Sequence, residues 1–136
     1  MITAVDTNVL VDVFVADEQF GEQSREALRV CRREGSLIAC DVVWAEVAGV
    51  FHSSNEAADA LTSLRVEFSP LRIEACLAAG TAWRDFRAAG RSRRRVVADF
   101  LIGAHGALAA DRLLSRDRGF YRMPFDSLTV VDPSTP

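Results

Sequence analysis

The sequence predicts an α/β fold of three layers: a central, mostly parallel five-stranded sheet flanked by helices. Three observations carry that prediction. Short, largely apolar runs recur along the chain, at 2–5, 37–40, 66–68, 113–115 and 128–131. Stretches with helical spacing separate them, and strands alternating with helices build a parallel sheet covered on both faces. No internal repeat, low-complexity tract or linker interrupts the 136 residues, a length that suits one domain over 1–136.

Each element follows from local chemistry. Ile2-Thr3-Ala4-Val5 reads as a short buried strand, and Thr7 to Val15 as a short helix or turn leaving it. From Phe20 to Glu34 the spacing of Phe20, Ser24, Ala27, Leu28 and Cys31 is helical, and Gly35 is the stop signal. Leu37-Ile38-Ala39-Cys40 is the second strand. Asp41 then reads as the N-cap of a helix running to about His52. Asn55 to Leu64 is helical, and Val66-Glu67-Phe68 forms a third strand. A long helix opens at Pro70 or Leu71 and closes at Gly90. Arg94 to Ala110 is helical again, with Val97, Leu101, Ala104 and Leu108 on one face. Leu113-Leu114-Ser115 and Leu128-Thr129-Val130-Val131 complete the strands.

Composition narrows the function classes. The apolar fraction of 49% and charged fraction of 26% are those of an ordinary globular protein. No apolar run is long enough to cross a bilayer, and an N-terminus carrying Asp6 and Asp12 without a basic leader argues against a signal peptide. Cys31, Cys40 and Cys76 lack metal-ligand spacing and read as reduced, buried thiols of a cytoplasmic protein. The net charge of −3 does not advertise a nucleic-acid binder, but its distribution matters more. All sixteen basic residues are arginines. Six lie between Arg84 and Arg95, and four between Arg112 and Arg122. Arginine meets phosphate through a planar fork that lysine lacks. A genome favouring arginine codons explains the missing lysine but not the clustering.

Several acids stand in apolar company. Asp6 ends the first strand and precedes Val9-Leu10-Val11. Glu46 is the sole charge between Val42 and Phe51, and Asp99 the sole acid between Val96 and Ala110. Burying a carboxylate costs several kcal/mol unless it is paired or metal-bound. Asp99 also shares a face with Gly103 and Gly106, where small residues permit close packing. In parallel sheets ligands bind beyond the carboxyl ends of strands, where strand order reverses; Asp6 follows the first strand and Asp117 the fourth. Converging carboxylates without cysteine suit hard cations such as Mg²⁺ or Mn²⁺, which activate water for phosphodiester cleavage singly or as a pair. Alternatives stay open. The metal role is the favoured reading of Asp6, with a cap on the amides of Asn8 or Val9 as its alternative; Glu46 reads alternatively as an arginine's partner, and Asp99 as a cap of a later-starting helix. Asp117, in Ser-Arg-Asp-Arg-Gly, reads on its own as a solvated loop acid. Asp12, Asp41, Asp111, Asp126 and Asp132 read as surface, cap or turn residues, and His52 and His105 as structural histidines.

Taken in order, four motifs resemble the PIN-domain nucleases, in particular the VapC-type toxins of toxin–antitoxin pairs. They are Ala4-Val5-Asp6-Thr7-Asn8, Ala45-Glu46-Val47, Asp99-Phe100-Leu101-Ile102-Gly103-Ala104, and Leu113-Leu114-Ser115-Arg116-Asp117-Arg118-Gly119-Phe120. The resemblance spans nearly the whole chain. It implies a PIN-like fold with Asp6, Glu46, Asp99 and Asp117 as catalytic ligands of Mg²⁺ or Mn²⁺, and Thr7, Asn8 and Ser115 as hydrogen-bonding supports. It also implies endonucleolytic cleavage of single-stranded or structured RNA, inhibition by a small antitoxin protein, and a homodimer. His105 beside Gly106 is a small departure from the family's usual residues.

The run Arg91-Ser92-Arg93-Arg94-Arg95 fits this picture, because cations at a helix start oppose the helix dipole whereas phosphate recognition favours them. Arg93, Arg94, Arg95 and Arg116 are the candidate RNA-binding residues; a solvated loop is the alternative. A phosphatase using an aspartyl nucleophile fits poorly, since Asn8 stands where a second aspartate is needed and the chain has no lysine. A DNA nuclease, an RNA-processing nuclease outside a toxin–antitoxin pair, and a non-catalytic binding module are the remaining alternatives. Phe51, Trp83 and Phe86 read as core residues or as part of a partner surface.

Overall fold

In chain order the elements are β1 (Ile2–Val5), α1 (Thr7–Phe14), α2 (Gly21–Glu34), β2 (Ser36–Ala39), α3 (Asp41–Ala48), α4 (Ser54–Ser63), β3 (Val66–Phe68), α5 (Ile73–Ala88), α6 (Val97–Ala109), β4 (Arg112–Leu114), α7 (Arg118–Tyr121) and β5 (Val130–Val131). This computed structural model describes residues 1–91 and 95–135. The five strands form one sheet in the order β3-β2-β1-β4-β5, and each of the four pairings is parallel. The expected α/β architecture is thus observed.

The core lies on both sides of the central strands. Ala4, Val5, Leu37, Ile38, Leu113 and Leu114 pack with Val9 and Leu10 of α1, Leu28 of α2, Val43 and Val47 of α3, and Ile102 of α6. A smaller cluster joins Ala75 and Ala79 of α5 to Phe100 and Ala104 of α6. The turn into β2 passes so close to the start of the chain that a Cβ at Gly35 would collide with the Met1 carbonyl, so glycine is required there. Gly90, with φ of 69°, supplies the left-handed residue just past α5.

Some expectations are corrected. Cys40, not Asp41, is the N-cap of α3, and the helix ends at Ala48 rather than near His52. Asp41 instead accepts a 2.6 Å hydrogen bond from the Leu71 amide, tying α3 to the approach to α5. Helix α6 starts at Val97, not Arg94, because its cap forms at Val96, whose amide reaches back to Asp99 at 3.3 Å. Its buried side is Phe100 and Ile102 to Gly106, while Val97 and Leu108 are exposed. Of the face predicted from apolar spacing, Ala104 is buried and Leu101 packs against the α5–α6 cluster, but Val97 and Leu108 are not covered; the two glycines lie on the packed side. A Cβ at Gly103 would collide with the Phe125 ring, and one at Gly106 would touch Leu113 at 3.4 Å. Cys76 is exposed on α5, unlike Cys31 and Cys40, and all three thiols are free. His105 is buried and hydrogen-bonded to the Ser69 hydroxyl at 2.9 Å; burial lowers its pKa. Among the described residues no helix is long and apolar enough to cross a membrane.

Candidate active site

The strand order places the site. β1 lies at the centre of the sheet, and the chain builds outward first through β2 and β3, then on the other side through β4 and β5. The order therefore reverses between β1 and β4, where parallel sheets open a crevice at their carboxyl ends. Val5 pairs with Leu114, so the residues emerging there are Asp6 and Ser115. The ladder runs one step further through the Asp6 amide to the Leu114 carbonyl, 2.9 Å. The Ser115 hydroxyl consequently donates to Asp6 Oδ2 at 2.7 Å.

Asp6 is 5% exposed. It also serves as the N-cap of α1, with Oδ1 accepting from the Thr7 amide at 2.7 Å rather than from the amide of Asn8 or Val9. A third donor is the buried Tyr121 hydroxyl, 2.9 Å from Oδ2. Burial pushes the Asp6 pKa up to about 6, against the opposing pull of the Ser115, Tyr121 and Thr7 hydrogen bonds; the Asp117 charge adds to the rise. Burial and the neighbouring Asp6 carboxylate in turn push Tyr121 well above its ordinary value. No cation pairs with Asp6 among the described residues.

Two of the other predicted acids, Glu46 and Asp117, reach Asp6 through short hydrogen-bonded links, whereas Asp99 has no such link among the described residues. Glu46, on the last turn of α3, is exposed rather than buried, because α3 turns that side away from the core. Its Oε1 accepts from the Thr7 hydroxyl at 2.6 Å. Asp117 follows β4, and its amide donates to Ser115 Oγ at 2.9 Å. One serine hydroxyl thus joins Asp6 to the loop that carries Asp117. Asn8 stands beside this link, with Nδ2 3.4 Å from Ser115 Oγ and Oδ1 accepting from the Arg116 amide at 3.2 Å. Asp99 sits in the first turn of α6, partly buried, and serves the cap as its alternative reading held.

The arginines behave differently from one another. Arg93 and Arg94 lie outside the described residues. Arg95 binds Asp117 with both ends of its fork, at 2.7 and 3.2 Å, and stands 4.0 Å from Asp99. Its guanidinium lies 4.2 Å over the Phe120 ring. Pairing with Asp117 raises its pKa. Arg116, expected to meet RNA, is engaged elsewhere: it clasps Asp12 at 2.7 and 3.0 Å and covers the Phe20 ring at 4.0 Å. Asp12 is accordingly buried rather than a surface acid, and it also accepts from the Ser24 hydroxyl at 2.9 Å.

Tyr121 and Asp12 escaped the sequence reading. Tyr121 had a signal: it is the chain's one tyrosine and lies four residues, about one helical turn, after Asp117. Asp12 had a weaker one, an acid between Val11 and Val13 on a helix otherwise apolar after Asn8.

Among the described residues, no three His, Cys, Asp or Glu side chains enclose a metal site as they stand. The chemistry of the donor set nevertheless fits a hard divalent cation. All the donors are oxygens, Asp6 is buried with no positive charge paired to it among the described residues, and Arg95 is engaged with Asp117 and Asp99.

Solved structures similar in fold include toxin–antitoxin assemblies. The chain is similar to VapBC2 from Rickettsia felis, bound to a DNA fragment from its promoter, at a TM-score of 0.74 and 17% identity, covering 97% of this chain and 98% of that one. It is similar to VapBC-1 from nontypeable Haemophilus influenzae at a TM-score of 0.71 and 19% identity, covering 98% of both. VapC20 of Mycobacterium tuberculosis, a sarcin-ricin loop cleaving toxin, matches at 0.56 and 13% identity, covering 85% of this chain and 91% of that one. No curated protein compared by sequence matches. The family model for the PIN domain matches residues 3–126. With that match over most of its length, and the parallel sheet and strand-end acids already in place, the chain belongs to the PIN-domain family.

Proposed function

We propose that this protein is a metal-dependent endoribonuclease of the VapC toxin type, cleaving phosphodiester bonds of single-stranded or structured RNA. One observation carries the reading. Asp6 is buried at the reversal point of the sheet with no cation paired to it among the described residues; the Ser115 hydroxyl links it to the Asp117 amide, and Thr7 links it to Glu46 through its amide on one side and its hydroxyl on the other. Family membership and the fold likeness to toxin–antitoxin structures, one of them of a sarcin-ricin loop cleaving toxin, support it.

Asp6, Asp117, Asp99 and Glu46 would hold Mg²⁺ or Mn²⁺. When bound, such an ion supplies positive charge to the reacting phosphate and activates water for in-line attack. The chain's own groups prepare the site for it. Ser115 and Tyr121 fix the direction of Asp6 Oδ2, and Thr7 fixes Glu46. Asn8 holds the β4–α7 loop through the Arg116 amide, keeping Asp117 at the strand end. Arg93, Arg94 and Arg95 stand a few residues before Asp99 in the sequence, and a phosphate backbone is their natural partner. The protein works in the cytoplasm as a homodimer and is held inactive by a small cognate antitoxin. The test is incubation with matched RNA and DNA oligonucleotides in Mn²⁺, with end-group analysis. Internal cuts in RNA leaving 5′-phosphate and 3′-hydroxyl ends are expected. Cleavage of DNA alone would refute the substrate assignment.

A further inference from the structure

Two of the candidate metal-holding acids, Asp117 and Asp99, already face a positive charge of the chain itself. Arg95 spans both oxygens of Asp117 and stands 4.0 Å from Asp99, with the Phe120 ring beneath its guanidinium. Phe120 is in turn held edge-on by Phe86, Phe100 and Tyr121. An arginine seated on a clamped ring loses less freedom in this geometry than a loose surface side chain would. Its fork satisfies Asp117 at the oxygens a metal would need, and Asp99 and Asp117, both within 4.0 Å of this one guanidinium, need some cation. Among the described residues no other arginine does this: Arg116 is committed to Asp12, and Arg118, next to Asp117, pairs with no acid.

We propose that Arg95 is a resident counter-cation of the metal-free site, competing with the divalent ion for Asp117. Metal binding displaces the fork from Asp117 and leaves the guanidinium free beside the site, where a substrate phosphate can take it. In the metal-free protein the arginine keeps Asp99 and Asp117 from repelling each other and blocks adventitious occupancy. The inference rests on the metal-dependent reading above.

The experiment is Mn²⁺ titration of the chelated, full-length protein without RNA, read by the loss of free-ion electron paramagnetic resonance signal. Wild type, Arg95→Gln, Arg95→Lys and Arg118→Gln are compared at low salt. Because the pair is partly exposed, its loss should tighten Mn²⁺ binding by about fivefold in Arg95→Gln. Arg95→Lys keeps the charge but not the fork, and an intermediate gain is expected. Arg118→Gln removes a nearby unpaired cation and should change affinity by less than about twofold. Equal or weaker Mn²⁺ binding in Arg95→Gln, with wild type binding normally, would overturn the competition while leaving the metal reading intact. An equal gain in Arg118→Gln would also overturn it, reducing the effect to bulk charge. Absence of Mn²⁺ binding in wild type and Arg95→Gln alike would remove the metal reading and this inference with it.

Discussion

Replacing Asp6 with asparagine should make the metal-free protein more stable at alkaline pH while abolishing its proposed activity. Burial raises the Asp6 pKa from 3.8 to about 6, and each unit is worth about 1.4 kcal/mol. Holding the charged carboxylate in the fold at pH 8 therefore costs on the order of 3 kcal/mol. The sign follows from proton counts. Between these two values the native state holds a proton that the unfolded chain has lost, so this group's contribution is fully present below about pH 4 and is lost as pH rises through about 6. Asparagine carries no charge, but its amide nitrogen cannot accept the hydrogen bonds that Ser115 and Tyr121 give to Oδ2. That loss returns about 1–2 kcal/mol. The net expectation is a gain of about 1–2 kcal/mol at pH 8 in EDTA, equivalent to a Tm rise of about 3–7 °C, shrinking to nothing or reversing at pH 4. Urea unfolding of both proteins across this range measures the difference directly. A difference independent of pH, or a less stable Asp6→Asn at pH 8, would refute the claim that the site carries an uncompensated buried charge.

Tyr121→Phe removes one donor to Asp6 without changing shape, and should destabilise the protein by about 1.5–3 kcal/mol at pH 8 and by less at pH 4, where the acceptor is protonated; equal losses at both pH values would argue against a bond to the charged carboxylate. Arg116→Ala strands the buried Asp12 with only Ser24 as partner, and chemical denaturation should register a loss of about 3 kcal/mol. RNA binding by Arg116→Lys, which keeps the charge but gives up the bidentate clasp, should stay close to wild type if Arg116 is structural; a loss comparable to that of the Arg93–Arg95 variant would return it to the RNA-binding set. The triple change Arg93→Ala, Arg94→Ala and Arg95→Ala should weaken binding to single-stranded RNA and flatten its dependence on log salt by about 2, at roughly 0.7 for each phosphate no longer neutralised. An unchanged slope would assign those charges to solvent.

Much of the fold was legible because parallel strands covered on both faces are written as short apolar runs, and each of the five was located to within a residue or two. Helix ends were less so. The start of α6 depends on Asp99 reaching back to the Val96 amide, a hydrogen bond that apolar periodicity does not encode. The same periodicity grouped the exposed Val97 and Leu108 with the buried Ala104, and it does not register Gly103 and Gly106, which allow close packing by having no side chain. Within the site, Asp6 was legible from its strand-end position. Glu46 was singled out by apolar neighbours yet is exposed, so burial was the wrong reason to single it out; what ties it to Asp6 is the Thr7 hydroxyl. Asp117 owed its place to motif resemblance, and its link to Asp6 through Ser115 becomes visible only once Val5 is paired with Leu114. The two committed arginines could not be read from charge clustering, because their partners, Asp12 and Asp117, are brought to them by the crossing of β1 and β4 against α1 and α6.

Whether Asp6 anchors a metal-dependent cleavage of RNA is tested most directly by one add-back titration. Protein stripped with EDTA is given a single-stranded RNA panel while Mg²⁺ or Mn²⁺ is restored stepwise, for wild type and for a folded Asp6→Asn. Cleavage that is absent in EDTA, returns with the ion in wild type, and stays absent in Asp6→Asn is the predicted result. Cleavage that persists in EDTA, or that Asp6→Asn performs at the wild-type rate, would contradict it.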